Sequence, residues 1–380
     1  MKISRRGSEI APFYAMEVLK AANDRQAAGG EVFHMEVGEP GGGAPEPVIE
    51  AAQAALGTAH LGYTEALGIP ELRARIVRHY DEYYGVSVDF ERVIVTAGSS
   101  GAFPLAFMAA FERGNRVALA APGYPAYRNI LLALDLEPVS IASGPESRFQ
   151  PTPELLAEAG PLDGLLIASP ANPTGTMLDR PAFEALIAYC RQNDIRLISD
   201  EVYHGITYGR QAETLAGLWD QAVVINSFSK YFAMTGWRLG WMVVPEDMVR
   251  PLERLSQNLY ISPPSLSQYA AVVAFDCRAE LDEKVAGYAR NRTLLLDELP
   301  QAGFDRLAPA DGAFYVFADV SQLTNDSTDF CRRMLEETGV ATTPGIDFDT
   351  ERGHAYMRFS FAGPHADMIE ACRRLKDWLR

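Results

Sequence analysis

One lysine of this chain lies in a segment that could carry covalent chemistry. Lys230 stands in the run Ser227–Gly240, where small and apolar residues predominate, and Arg238 follows it by eight positions. Such an amine can form a Schiff base with a carbonyl compound, and a guanidinium at this spacing can bind a phosphate group of the same compound. The alternative is a solvated loop lysine, although lysine is scarce elsewhere. The other lysines are Lys2, Lys20, Lys284 and Lys376.

A carboxylate and a glycine–serine turn could complete such a site. Asp200 follows the apolar run Ile195–Ser199, and a carboxylate at the end of a buried strand can hold a proton on a ring nitrogen. The turn Gly98–Ser100 opens a predicted helix, where backbone N–H groups and hydroxyls bind phosphate. Taken alone, Asp200 is equally well explained as a helix N-cap and the turn as an ordinary cap.

Short apolar runs alternate with longer helical patterns from about residue 92 to residue 244. This alternation is typical of βαβ units with a mostly parallel sheet, so the predicted fold class is α/β. The predicted strands are Arg92–Thr96, Arg116–Ala120, Gly164–Ala168, Ile195–Ser199, Ala222–Asn226 and Leu239–Val244. The predicted helices are Ser100–Phe111, Tyr124–Leu134 and Pro181–Asn193.

Several distinctive residues come directly after these strands. Ligands of open α/β sheets bind outside the carboxyl ends of the strands, so we expect these residues to meet at one edge of the sheet. In chain order they are Gly98, Ser99, Ser100, Tyr124, Asn172, Asp200 and Lys230.

The last third of the chain has a different pattern. A long helix is predicted from Pro263-Pro264 to about Leu299, followed by an α+β segment with strands near Gly312–Ala318 and Ala355–Phe361. We therefore predict a large domain over residues 46–282 and a smaller domain over residues 283–380. Residues 1–45 are predicted to form an N-terminal arm and part of the smaller domain.

The full run Ser227–Gly240 is similar, over all fourteen positions, to the pyridoxal-phosphate attachment signature of the class I and II aminotransferases. This family has the pyridoxal-phosphate transferase fold of type I, with a large domain around a mostly parallel sheet and a smaller α+β domain. Further motifs resemble the family in the expected order from Gly38 to Arg358. The chain departs from many relatives at Gly41–Gly43, where they carry an acidic and an aromatic residue.

The resemblance implies a role for each candidate residue around pyridoxal 5'-phosphate. Lys230 would bind the cofactor covalently and move a proton, Asp200 would keep the ring nitrogen protonated, and Tyr203 and Asn172 would reach the phenolic oxygen. Tyr124 would stack on the ring. The residues implied to hold the phosphate are Gly98, Ser99, Ser100, Ser227, Arg238 and, from the neighbouring subunit of a homodimer, Tyr63.

The substrate would be an amino acid or a 2-oxo acid whose carboxylate is bound by Arg358, with the backbone close by at Gly38. Relatives active on aspartate often carry a lysine where this chain has Ser100, which lowers the case for aspartate. Four apolar or aromatic residues could line a pocket for the side chain of a neutral or aromatic substrate, or they could simply belong to the hydrophobic core. They are Phe13, Tyr14, Tyr260 and Phe348.

The resemblance thus implies an aminotransferase with a ping-pong reaction, in which Lys230, Asp200 and Tyr203 are catalytic. A β-lyase or a synthase of the same fold stays open, because bond choice depends on geometry. A ligand-sensing relative fused to a DNA-binding module is a weaker alternative.

Charge and cysteine content limit the partners. A formal net charge of −16 opposes binding to nucleic acid or to anionic membranes. The four cysteines are widely scattered, which favours a reducing cytoplasm. The histidines have no metal-ligand spacing, residues 7–30 carry charges where a signal peptide is apolar, and no long apolar span is present.

Overall fold

The computed structural model describes residues 3–380, apart from the side chains of Arg5 and Glu9. Met1 and Lys2 of the predicted N-terminal arm lie outside this range. The strands are β1 (Phe33–His34), β2 (Val93–Thr96), β3 (Arg116–Ala121), β4 (Glu137–Ala142), β5 (Gly164–Ala168), β6 (Arg196–Asp200), β7 (Val223–Ser227), β8 (Gly240–Val243), β9 (Arg306–Leu307), β10 (Tyr315–Asp319), β11 (Val340–Ala341), β12 (Thr343–Pro344) and β13 (Tyr356–Ser360).

The described range contains thirteen α-helices. They are α1 (Arg5–Glu9), α2 (Tyr14–Ala27), α3 (Glu46–Thr58), α4 (Pro70–Tyr84), α5 (Ser99–Ala110), α6 (Pro125–Ala133), α7 (Pro153–Glu158), α8 (Arg180–Gln192), α9 (Glu246–Leu259), α10 (Ser265–Ala274), α11 (Arg278–Gln301), α12 (Ser327–Thr338) and α13 (His365–Trp378). Within the described range, no helix is long and apolar enough to cross a membrane.

The largest sheet has seven strands in the order β2-β8-β7-β6-β5-β3-β4. Strand β8 is antiparallel to both of its neighbours, β2 and β7, and the other pairs are parallel. The predicted α/β fold with a mostly parallel sheet is confirmed.

Both faces of this sheet are buried under helices. Along β2, Val93 and Val95 pack on one face with Ile76 of α4, whereas Ile94 packs on the other with Phe107 of α5. Fully burying one such aliphatic side chain contributes about 1.5–3 kcal/mol. Burial on both faces therefore makes the sheet a rigid support for residues at its edge.

Among the differences from the predicted elements, two concern the central sheet and the long helix. Strand β4 was not predicted, because it lies at the sheet edge, is largely solvent-exposed and contains Pro138, so it has no apolar run. The single long helix is wrong, since α10 and α11 are separated at residues 275–277. There the chain bends so that Phe275 is buried against His79 and Phe228.

The C-terminal part forms a smaller sheet in the order β12-β13-β10-β9. Strand β1 pairs in parallel with β11, which attaches the N-terminal segment to this part of the chain. Helix α11 continues through residue 283 without a break. The predicted domain boundaries stay a prediction.

Candidate active site

The carboxyl ends of β2, β3, β5, β6 and β7 meet at one edge of the central sheet and open into a cavity of about 250 Å³. Most candidate residues line this cavity. They are Gly38, Ser99, Ser100, Tyr124, Asn172, Asp200, Tyr203, Ser227, Lys230, Arg238 and Arg358. Gly98 lies next to the guanidinium of Arg238. Tyr63 lies on the protein surface, with 80% of the residue exposed to solvent.

Lys230 follows β7 and points its amine into the cavity. Its Nζ donates to the carbonyl oxygen of Gly38 at 2.6 Å and lies 5.9 Å from the centre of the Tyr203 ring. Burial lowers the pKa of Lys230 to about 8, and the neighbouring Arg358 guanidinium acts in the same direction. About a tenth of the amine is therefore neutral at pH 7, and this neutral form is the one that acts as a nucleophile or a base.

Asp200 ends β6 and is 4% exposed. Its Oδ1 accepts from the Val202 N–H at 3.0 Å, and its Oδ2 accepts from the Tyr127 hydroxyl. Burial raises the pKa of Asp200 to about 6, while both hydrogen bonds and Lys230 oppose this rise. No α-helix begins directly after Asp200, so the N-cap alternative does not apply.

Tyr127 is a site residue that sequence reasoning missed. It lies on α6, three positions after Tyr124, and both tyrosines line the cavity. Residues three apart on a helix share a face, so the position of Tyr124 in the site could have indicated that Tyr127 lies there too.

Tyr315 was missed as well, and it explains the glycine at position 38. Its hydroxyl lies 2.7 Å from the hydroxyl of Tyr203. A Cβ at Gly38 would lie 1.7 Å from that same Tyr315 hydroxyl. Gly38 thus leaves the space that Tyr315 occupies beside Tyr203.

Apart from Tyr63, the residues predicted to bind phosphate lie around the start of α5. Gly98 has a positive φ of 73°, and a Cβ there would lie 2.7 Å from Nη2 of Arg238. Nη2 of Arg238 donates to the Ser100 hydroxyl at 3.4 Å, and Ser227 lines the same cavity. The free N–H groups of a helix start, two hydroxyls and a guanidinium are the donors that a phosphate dianion requires.

Arg358 lies on β13 and is 3% exposed, so it is not an ordinary surface arginine. Its Nη1 donates to Asn172 Oδ1 at 2.8 Å, and its Nη2 donates to Thr343 Oγ1 at 3.2 Å. The guanidinium lies between the rings of Tyr315 and Phe348, with its carbon 4.3 and 4.8 Å from their centres. The two rings hold it in one orientation, which suits bidentate binding of a carboxylate.

The predicted side-chain pocket is only partly right. Phe13 lines the cavity, but Tyr14, Tyr260 and Phe348 do not. Tyr260 packs beneath α5 and α9, and Phe348 packs against Phe317 and Arg358. The apolar wall also includes residues that were not predicted, and these are Ala15, Met16, Val37 and Ile130.

The cavity fits pyridoxal phosphate at each of its functional ends. Arg238 and the helix start suit the phosphate, and Lys230 suits the carbonyl carbon. Each Asp200 oxygen still has a lone pair for a ring N–H, and Tyr124 presents an aromatic ring to the same space.

The chain is similar to known aminotransferases in both sequence and structure. The family model described as aminotransferase class I and II matches residues 31–375. The valine–pyruvate aminotransferase of Mycobacterium tuberculosis is 54% identical over 97% of both chains. The (5-formylfuran-3-yl)methyl phosphate transaminase of Methanocaldococcus jannaschii is 32% identical over 99% of both chains. The crystal structure of an aminotransferase from Mycobacterium tuberculosis has a TM-score of 0.98, with 53% identity over 100% of this chain and 99% of that one.

Proposed function

Because the chain belongs to the class I and II aminotransferase family and transfers an amino group from an amino acid to a 2-oxo acid, we propose that it uses pyridoxal phosphate to do so. We further propose that the amino donor is a neutral aliphatic amino acid such as valine and that the acceptor is a short 2-oxo acid such as pyruvate.

When bound, pyridoxal phosphate supplies a carbonyl carbon that receives the amino group and a ring that accepts electrons. In this proposal Ser99, Ser100, Ser227 and Arg238 would bind the phosphate, and Asp200 would hold a proton on the ring nitrogen. Asn172 and Tyr203 would bind the phenolic oxygen.

Lys230 and Arg358 then act on the substrate. Arg358 binds the α-carboxylate, and its fixed orientation places the Cα–H bond relative to Lys230. The Lys230 amine takes the proton from Cα, a step for which a pKa near 8 is well suited.

The choice of donor rests first on the distribution of charge in the cavity wall. The cationic side chains among its described lining residues are Lys230, Arg238 and Arg358, and each already has a role. A distal carboxylate, as in aspartate, would lose its hydration without gaining a partner from this chain. The wall formed by Phe13 and Met16 suits an aliphatic group instead, and the relative at 54% identity is a valine–pyruvate aminotransferase.

A homodimer with shared active sites is part of the proposal. Tyr63 is exposed on the surface together with Leu61, Leu259 and Ile261. The Thr64 N–H donates to the Ser262 hydroxyl at 3.3 Å, which holds the two loops side by side. An exposed apolar patch of this kind is typical of a protein interface. A cytoplasmic location is also proposed, with support from four buried cysteines that form no disulfide.

The test is a half-reaction without any 2-oxo acid. The purified holoenzyme is mixed with valine, alanine, aspartate or glutamate, and the visible absorption of the cofactor and the 2-oxo acid formed are measured. Valine is expected to bleach the band with release of its 2-oxo acid, and aspartate to do so far more slowly. A faster reaction with aspartate would reject the proposed donor class. Lys230→Ala is the control, and it should bind the cofactor without bleaching.

A further inference from the structure

Helix α2 begins without a capping side chain of its own, and a distant aspartate takes that place. Phe13 stands at the N-cap position and makes no side-chain cap. Asp347 Oδ1 accepts from the Tyr14 N–H at 3.3 Å, and Oδ2 accepts from the Ala15 N–H at 3.2 Å. Asp347 is 1% exposed. A buried carboxylate on two free N–H groups of a helix start stabilises that start, because both the hydrogen bonds and the helix dipole favour negative charge there.

The turn that Asp347 holds forms part of the apolar wall of the active site. Phe13, Ala15 and Met16 line the cavity. The Phe13 ring meets the Tyr124 ring edge to face, with centroids 5.8 Å apart and an angle of 86°. Asp347 and Tyr124 therefore fix the first turn of α2 from two sides.

The segment that carries Asp347 also holds the carboxylate-binding arginine. Thr343, four positions before Asp347, accepts from Arg358, and Phe348, one position after it, stacks on the guanidinium. The turn between them is tightly packed, because a Cβ at Gly345 would lie 2.5 Å from the carbonyl oxygens of Gly353 and Tyr356. One short segment thus links the place of the α-carboxylate to the wall that faces the substrate side chain.

We propose that Asp347 is a positioning residue for donor selection: it holds the first turn of α2 at a set distance from Arg358, and that distance limits the size of the side chain that the cavity accepts. The inference rests on the proposed function, since it takes the donor to be bound between Arg358 and the α2 wall. Asp347 itself lies outside the cavity lining and acts through Phe13 and Met16.

Arginines on other elements face Asp347 as well. Arg358 on β13 and Arg128 on α6 both stabilise the charged carboxylate, against the burial that raises the pKa of Asp347. Replacement by asparagine would keep one acceptor oxygen and lose the charge, whereas alanine would lose both acceptors. The two variants therefore form a graded series.

The experiment compares the holoenzyme with its D347N and D347A variants. Steady-state rates are measured for alanine, 2-aminobutyrate, valine and leucine, over a range of donor concentrations and at one fixed concentration of pyruvate. In D347A, KM for valine is expected to rise about fivefold with little change in kcat. The ratio of kcat/KM for valine to that for leucine should fall by a similar factor, because a released wall no longer excludes the longer chain. D347N should lie between the wild type and D347A.

Asp326→Ala is the matched control. Asp326 caps α12 by accepting from the N–H groups of Thr328 and Asp329, and it is not part of the cavity. The control should lose thermal stability and keep the wild-type donor ratio. If D347A does not fold, the decision is made on D347N.

An unchanged valine-to-leucine ratio in a folded Asp347 variant would overturn the inference. A change in thermal stability alone, as in the control, would also overturn it. If the wild type reacts with none of the four neutral donors, the proposed donor class fails instead. The ratio is then measured with two donors of different length that do react, so the two failures are distinguishable.

Discussion

The Tyr127 hydroxyl donates a hydrogen bond to Oδ2 of Asp200 in the wall of the active-site cavity, between two residues 73 positions apart. With the Val202 N–H on Oδ1, each oxygen of the carboxylate has a donor from the chain. Burial by itself would favour the neutral acid, as the direction of its pKa shift shows. Tyr127 thus helps to keep Asp200 charged in a dry environment, where a charged partner for the ring nitrogen is required.

Tyr127→Phe is expected to slow the half-reaction about tenfold at pH 7, because a hydrogen bond to a charged group is lost inside the protein. That bond lowers the pKa of Asp200, so its loss raises the pKa and shifts the acidic limb of the rate profile to higher pH. The deficit should be larger at pH 6 than at pH 8. Stopped-flow bleaching across this range checks the prediction. Tyr189→Phe on α8, outside the cavity, should leave the profile unchanged, and an equal deficit at every pH would argue against the electrostatic role.

Arg358→Lys is expected to lower kcat/KM about a hundredfold for every α-amino acid, whatever its side chain. An ammonium group cannot reproduce the planar fork that contacts Asn172 and Thr343 and stacks between two rings. Steady-state kinetics with valine, alanine and leucine measure the effect. Arg73→Lys is the control, since Arg73 is also buried but binds backbone carbonyls outside the cavity. A loss confined to one donor would contradict the role assigned to Arg358.

Residues of the site could be predicted from sequence where a pattern in the neighbouring residues indicated their position. Lys230, Asp200 and Asn172 each follow a buried apolar strand, and strand ends of a parallel sheet converge at one edge, so the pattern carried their location. Strand β4 could not be predicted because this local pattern is absent from it. Its exposed edge position left no run of apolar residues to recognise.

Contacts between distant segments could not be predicted. Asp347 lies more than 330 positions from the backbone N–H groups of Tyr14 and Ala15 that it caps. Nothing in the residues near Phe13 indicates that a capping acceptor comes from elsewhere. Tyr315 is similar, because its place beside Tyr203 depends on how β10 packs against the end of β6. Such positions are set by tertiary packing, which neither spacing nor composition encodes.

His79 is expected to make the protein less stable in acid. It is 7% exposed among aromatic rings, and burial, aided by nearby Arg278, lowers its pKa from 6.5 to about 3. Between these two values the unfolded chain binds a proton that the folded chain does not. The contribution of neutral His79 to the free energy of unfolding is therefore complete above pH 6.5. It is lost, at up to about 1.4 kcal/mol per pH unit, as the pH falls toward 3.

His79→Phe should remove this contribution. Urea unfolding at pH 7, 6, 5 and 4 is expected to give a shallower decline of the unfolding free energy for the variant than for the wild type. His204, whose pKa burial lowers to about 4, should keep part of the decline in place. The exposed His60, replaced by glutamine, serves as the control. Equal slopes for His79→Phe and the wild type would mean that His79 is not neutral in the folded state.

Gly38→Ala is expected to disturb the active site through Tyr315 rather than through the fold. The new Cβ would lie 1.7 Å from the Tyr315 hydroxyl and 2.7 Å from the ring carbon that carries it, so the ring must move. Its movement breaks the contact with Tyr203 and removes one of the two rings that hold Arg358. We expect kcat/KM to fall by about tenfold or more, with a small change in melting temperature.

Removing the hydroxyl in the double variant Gly38→Ala with Tyr315→Phe leaves only the milder ring contact, so it should recover part of the activity relative to Gly38→Ala. Gly57→Ala, where a Cβ meets nothing within 4 Å, should behave like the wild type. If the double variant is no more active than Gly38→Ala, the defect arises from the Gly38 backbone, whose carbonyl accepts from Lys230, and not from Tyr315.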